Sequence, residues 1–324
     1  MFKRKIDAPL VQTNAQVLPF PQTQGKPWLG VCWKLLACIC FALINICVRY
    51  LTTTTHMPTL SPPQLVFFQN LFGCLFISPF FLAHKNMTHQ LRLGGSKILH
   101  TIRVLSAALG VLCLFVAMAH MPIPQAIALG FTGPVFTIVL SAVFLNEQLT
   151  AGRLGAIFFS LIGALFILRP DRAFYEAESD FNGYFILPIL SAFFIAICKI
   201  CSRKLLLKKA SSVELAFHLM FWMTPVSFVL SWSTWQPIIL DHFIYLVCLG
   251  GIATLAYYSG VKAFAYSEVT FLMPIGISKL IFSFILSFLI FQELPHQGNI
   301  WIGILAIAGS LILLQFWDHQ RKTS

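Results

Sequence analysis

The sequence predicts an all-α membrane protein, with ten transmembrane helices arranged as two inverted five-helix repeats. Three observations carry that expectation. Hydrophobic residues make up 58% of the chain and charged residues only 10%, whereas soluble domains are about one-quarter charged. The apolar residues gather into runs of about 20, the number a helix needs to cross a hydrocarbon core of about 30 Å. The second half of the chain also repeats landmarks of the first. In addition, the 32 Phe in 324 residues are more large apolar side chains than a soluble interior of that size hides.

The elements follow in order. Residues 1–27 carry Lys3, Arg4 and Lys5 and then Gln, Thr and Pro without an apolar core, so they read as a tail and not as a cleavable signal peptide. The first repeat, 28–170, holds apolar runs at Trp28–Tyr50, Gln64–Ala83, Lys97–Ala119, Gln125–Leu145 and Gly152–Leu168. A linker at 171–182 carries Asp171, Glu176, Glu178 and Asp180 against Arg172. The second repeat, 183–317, holds runs at Gly183–Cys201, Val213–Trp232, Ile239–Tyr258, Val269–Ile290 and Ile300–Trp317, before a tail at 318–324. These runs are too long, and lack the period-two alternation, for a transmembrane barrel.

Charge sets the orientation. Of 22 Lys and Arg, Arg103, Lys199 and Lys279 fall within runs and Arg49, Arg169 and Arg172 lie on one side, leaving 16, among them Lys34 and Lys262, on the other. The positive-inside rule then places both termini in the cytoplasm, with an even number of spans. It also keeps the sequon at Asn86 cytoplasmic and unglycosylated. The net charge of +11 forms no basic stripe with exposed aromatics, so no nucleic-acid partner is expected. Nine Cys lie almost wholly inside apolar runs, against an extracytoplasmic disulfide framework. The Cys198/Cys201 pair reads as helix packing ahead of a redox or metal role.

Sliding the second half onto the first by 146 positions sets Glu147 over Glu293, Gly152 over Gly298, Gly163 over Gly309 and Leu168 over Leu314. Five spans per copy is an odd number, so the second copy enters the membrane from the other side. Inverted repeats recur in secondary transporters, with the site near the midplane between the copies.

The stretch Arg103 to Pro170 has further landmarks. Met121-Pro122-Ile123-Pro124 makes a tight turn, Phe131-Thr132-Gly133-Pro134 opens a span, Asn146-Glu147-Gln148 follows its close, and Gly155, Gly163 and Leu168-Arg169-Pro170 come after. The second half answers with Lys262-Ala263-Phe264, Pro274, Gln292-Glu293-Leu294, Gly303 and Gly309. On these residues the chain resembles the EamA repeats of the drug/metabolite transporter superfamily, and its second half is most similar to S-adenosylmethionine transporters of intracellular bacteria. The resemblance implies a ten-helix metabolite exporter, importer or exchanger in a bacterial inner membrane, with no cofactor. One departure stands out: Lys279 occupies the position of Gly133, so the halves cannot line a cavity identically.

An ionisable residue deep in a span is costly and marks a functional site. Lys279, about 15 Å into its span, is therefore the foremost candidate to bind an anionic or zwitterionic solute such as an amino acid. Arg103, one turn beyond His100 on the same face, suits either solute attraction or pairing with a helix end. Lys199 and Arg49 read as anchors snorkelling to an interface. Asn45, Gln69, Asn70, Thr132, His218, Ser278, Tyr257 and Tyr258 are candidates for a cavity wall, each weighed against a role as glue between helices. Trp222 shares a helical face with His218 and could stack on a planar or cationic group. No Asp or Glu lies mid-span, which favours exchange or facilitated diffusion over proton coupling, with His218 as the fallback proton group. Glu147 and Glu293 read as loop caps.

HExxH, GxSxG and the P-loop are absent from the sequence, so neither an enzyme nor a primary pump is expected. A non-transporting scaffold or lipid-handling protein on the same fold is the alternative. Small-residue faces on spans four, five, nine and ten suit a homodimer contact and internal packing alike.

Overall fold

A computed structural model describes residues 27–53, 60–83, 97–120, 129–130, 132–147, 149–168, 183–208, 210–291 and short stretches of 302–310. Every regular element among these residues is a helix. We number them α1 (Pro27–Thr53), α2 (Pro62–Leu82), α3 (Lys97–His120), α4 (Gly133–Leu145), α5 (Ala151–Leu168), α6 (Ile186–Leu207), α7 (Ser212–Ser231), α8 (Leu240–Tyr266), α9 (Val269–Ile277) and α10 (Lys279–Phe291). Among the described residues, seven stretches are long and apolar enough to cross a membrane, with α9 and α10 together forming one of them, Val269–Ile290. Gly133–Leu145 and Ala151–Gly163 are shorter apolar helices. Most of the expected tenth span lies outside the described residues, as do the linker at 171–182, the sequon at Asn86, and Glu293.

Local sequence explains where helices start and stop. Prolines at the first positions of α2 have no N–H to leave unpaired. In α7 the Ser211 hydroxyl accepts from the Val213 N–H at 3.3 Å, while the Glu214 carboxylate accepts from the Ser211 N–H at 3.4 Å, a reciprocal cap. α4 ends at Asn146, whose φ of 51° is left-handed, a conformation Asn tolerates better than most residues. Two helices run well past their expected ends, α6 by six residues to Leu207 and α8 by eight to Tyr266. Basic residues stop a hydropathy run but not a helix, since Lys and Arg are good helix formers. Lys262, expected in a loop, therefore lies in the last turns of α8 and donates to the Tyr258 hydroxyl at 2.6 Å.

Packing runs chiefly between the halves. α1 lies against α8, α9 and α10; α3 against α6 and α7; α2 against α7 and α8; α4 against α6 and α9; and α5 against α9. Exchange of the halves maps the α1–α8 contact onto α3–α6, α2–α8 onto α3–α7, and α4–α6 onto α1–α10, so the packing itself has a two-fold relationship. The first helix of each half runs in an opposite sense. The start of α1 meets the end of α8, where the Ser267 hydroxyl donates to the Pro27 carbonyl at 3.1 Å. The end of α6 reaches the same level, where Arg203 donates to the Phe264 carbonyl.

Small residues make the close crossings. A Cβ on Gly250 of α8 would lie 2.3 Å from Phe72 Cβ and 3.0 Å from the Gly73 N of α2, so only glycine permits that approach. Around it, Leu65, Met220, Leu249 and Ala253 form a buried cluster shared by α2, α7 and α8. A second cluster joins Ile138, Ile157, Phe264 and Leu272. Outward positions such as Phe80 and Val229 are large, apolar and exposed, as a lipid-facing surface requires.

Candidate functional site

On α1, Lys34, Cys38, Phe41 and Asn45 recur at helical spacing and share one face. That face meets α9 just before the chain turns. Cys38 Sγ donates to the Ile275 and Gly276 carbonyls at 3.5 and 3.7 Å. A Cβ on Gly276 would lie 3.0 Å from Lys34 Cε and 3.5 Å from its Nζ, so glycine makes room for the ammonium.

The α9–α10 span is interrupted at Ser278. Its N–H donates to the Ile275 carbonyl at 3.2 Å and its hydroxyl to the same oxygen at 2.6 Å, closing a tight three-residue turn. Thr132, its counterpart in the first half, does the same to Leu129, from the N–H at 3.2 Å and the hydroxyl at 2.9 Å. Both candidates thus turn their hydroxyls to their own helix. Interrupted helices placed symmetrically in two halves are a recurrent pointer to a transporter's site.

Between the halves lies a cavity of about 330 Å³, within the range of about 300–1,000 Å³ typical of small-molecule sites. The first half contributes Lys34, Phe41, Ala107 and Val111, and the second contributes Ile195, Cys198, Lys199, Leu219, Met223, Tyr257 and Phe264 among others. Tyr257 packs edge-on to Phe41, with ring centroids 5.6 Å apart, and the Gln69 amide approaches its hydroxyl. The Lys34 ammonium sits 5.1 Å from the Phe264 ring centre, a cation–π distance. Lys279, which starts α10, lies within electrostatic reach of Lys34 and Lys199.

Two of these lysines correct the sequence reading. Lys199 is in the cavity wall instead of snorkelling to an interface, and Lys34, counted with the cytoplasmic-side charges, lines the same cavity two turns inside α1. Hydropathy averaging hides a single ammonium in a long apolar run. A signal was nonetheless present, because Lys34 lies well within the run that starts at Trp28.

The other candidates are placed as follows. Arg103 is fully buried and its Nη2 donates to the Leu215 carbonyl at 3.0 Å. His100 Nε2 lies 3.8 Å from Glu214 Oε1, and its ring is 5.6 Å from that of His218, whose Nδ1 is 2.9 Å from the Glu214 carbonyl. These four form one polar cluster between α3 and α7. Trp222 is exposed and lies edge-on to Phe221. Asn70 donates to the Val66 carbonyl of its own helix at 2.8 Å. Asn45 is exposed, about three turns beyond Lys34 on the same face. Arg49's side chain lies outside the described residues.

At the level where α1 begins, charged groups tie the halves together. Glu147 accepts from the Val269 N–H at 2.8 Å, the Thr270 N–H at 2.9 Å and the Thr270 hydroxyl at 2.8 Å. Arg153 pairs with Glu268. Carboxylates at a helix start also meet the positive end of its dipole.

A two-fold bundle of apolar helices around a cavity walled by both halves is the architecture of a membrane transporter. The profile of the EamA-like transporter family matches residues 28–169 and 182–315, and the chain belongs to that family, with one copy of its domain in each half. Curated relatives include a riboflavin transporter of Vibrio cholerae, 28% identical over 91% of this chain and 96% of its own. A pseudopaline exporter, CntI, of Pseudomonas aeruginosa is 26% identical over 88% and 95%. An S-adenosylmethionine uptake transporter of Rickettsia prowazekii is 24% identical over 88% and 92%. A crystal structure of a further protein, 16% identical, superposes with a TM-score of 0.72 over 91% of this chain and 98% of its own, a likeness of fold.

Proposed function

We propose that this protein is a secondary carrier that moves a small polar metabolite, anionic or zwitterionic, through the cavity between its halves by alternating access. The observation that carries the reading is the cavity itself, which takes polar wall groups from both halves inside an otherwise apolar bundle. A solute held there is exposed to one side or the other when the halves rock. The full architecture in this reading is ten spans in two inverted sets of five, in a bacterial inner membrane with both termini cytoplasmic. Lys279, Tyr257, Gln69 and Asn45 join Lys34 and Lys199 around the solute. Arg103 and His218 serve the polar cluster beside the cavity.

Vesicles reconstituted with purified protein test the reading. Labelled solutes, with riboflavin, S-adenosylmethionine and amino acids as the starting panel, are expected to enter faster when the vesicles are preloaded with the same unlabelled solute. That acceleration marks a site that alternates between sides. A panel extended to organic acids and phosphates that yields no protein-dependent flux removes the carrier reading and leaves a scaffold.

A further inference from the structure

Two lysines line the cavity, a third lies within their electrostatic reach, and no carboxylate among the described residues balances them. Lys34 comes from α1, Lys199 from α6, and Lys279 from the interruption between α9 and α10, and each lies within electrostatic reach of the others. None of the three makes a hydrogen bond or ion pair to another described residue. The carboxylates among the described residues are engaged or remote. Glu147 is held by Val269 and Thr270, Glu268 by Arg153 and Glu214 by Ser211, while Asp241 is exposed in the first turn of α8, at the end opposite Phe264. Apart from Tyr257, Ser202 and Cys198, the remaining walls, including Phe41, Val111, Ile195 and Met223, are apolar.

We propose that the cavity takes a solute bearing at least two anionic groups, such as a dicarboxylate or a phosphorylated acid, clamped by Lys34, Lys199 and Lys279. Three ammonium groups converging among low-dielectric walls repel one another strongly. A single carboxylate leaves two of them opposed, whereas two anionic groups bring the site near neutrality. A sulfonium solute such as S-adenosylmethionine adds a fourth cation with no carboxylate among the described walls to receive it. A neutral solute such as riboflavin leaves the repulsion unrelieved. Lys279 stands where the first half has Gly133, so its charge has no counterpart in the first half, and in this proposal the second anionic group of the solute is the one it receives. The inference rests on the carrier reading only for its placement in a transport cycle, since binding is measured separately.

The test is thermal stability of the purified full chain at constant ionic strength with succinate, citrate, inorganic phosphate, 3-phosphoglycerate, lactate, riboflavin or S-adenosylmethionine. At about ten times Kd, a bound polyanion is expected to raise Tm by about 3 °C, with lactate, riboflavin and S-adenosylmethionine giving less than about 1 °C. Succinate and citrate against phosphate and 3-phosphoglycerate separate carboxylate from phosphate recognition. Replacing Lys34, Lys199 and Lys279 singly with Gln is expected to weaken the response at least tenfold in midpoint concentration, and Lys→Arg variants, which keep the charge, are expected to retain it if folded. A flat response to all four polyanions, a larger shift with S-adenosylmethionine or riboflavin, or polyanion shifts unchanged in all three Gln variants overturns the inference. Vesicle flux keeps the two readings apart. Flux of riboflavin or S-adenosylmethionine without polyanion binding leaves the carrier standing and this inference fallen, whereas polyanion binding without any flux does the reverse.

Discussion

Glu147 receives both the backbone N–H and the hydroxyl of Thr270, at 2.9 and 2.8 Å, so the residue that follows α4 in the first half caps α9 in the second. The carboxylate is almost fully buried, and a buried acceptor for three donors is worth more than an exposed cap. Glu147→Ala leaves those donors unpaired and is expected to cost about 2 kcal/mol. Glu147→Gln keeps an acceptor and should cost about half as much. Thermal unfolding in detergent measures both, and a silent alanine variant would contradict the cap.

Arg153 and Glu268 form the neighbouring bond between the halves, and Arg153 also reaches the Thr270 hydroxyl at 3.3 Å. Reversing one charge, Arg153→Glu, sets it against Glu268 and is expected to lower stability and flux. Combining it with Glu268→Arg should recover part of the loss. Because Glu268 is partly open to solvent, the coupling expected from the double-mutant cycle is only about 1 kcal/mol. Additive effects would show that the pair does not link the halves.

Gly250 sets the crossing of α8 with α2. Gly250→Ala would place a Cβ 2.3 Å from that of Phe72 and is expected to cost about 1–3 kcal/mol through overpacking. Gly155→Ala, where nothing lies within 4 Å, should be neutral or slightly stabilising, since alanine favours a helix. Equal effects at the two positions would argue against the close crossing.

Asn45 and Trp222 are both exposed, but to different surroundings. Asn45 continues the α1 face that carries Lys34 and Phe41, whereas Trp222 packs beside Phe221 on α7. In a variant with the nine native cysteines replaced, Asn45→Cys is expected to react with a membrane-impermeant thiol reagent at least tenfold faster than Trp222→Cys. Equal rates would take Asn45 off the aqueous path. The same background allows a cysteine at 175 to test the orientation, since it should be labelled from outside intact cells.

Much of the fold was legible in the sequence because membrane insertion depends on averages. Runs of about 20 apolar residues are readable from composition, and the two matched halves agree with a repeat found at a shift of 146. Boundaries were less legible at α6 and α8, where Arg203 and Lys262 end a hydropathy run while the backbone continues helical. The expected tenth span stays an expectation.

The site was legible only in part. Lys279 drew notice as a lone cation deep in a span, and Tyr257 as a polar group on an apolar helix. In the sequence Lys34 counts with the cytoplasmic charges and Lys199 reads as a snorkelling anchor, because each lies nearer a helix end, where a long side chain can reach an interface. Their convergence depends on α1 crossing α8 and α9 while α6 comes alongside.

The sequence by itself determined that the chain lives in a bilayer, that it is built twice, and that it carries more basic than acidic groups. Hydrophobicity, repeat spacing and charge are sums over residues and need no coordinates. Only the tertiary structure decided which cations share a cavity, which carboxylates are already held, and that Thr132 and Ser278 turn their hydroxyls inward to matching breaks. The first two are distances between helices remote in sequence, set by how their small residues let them cross.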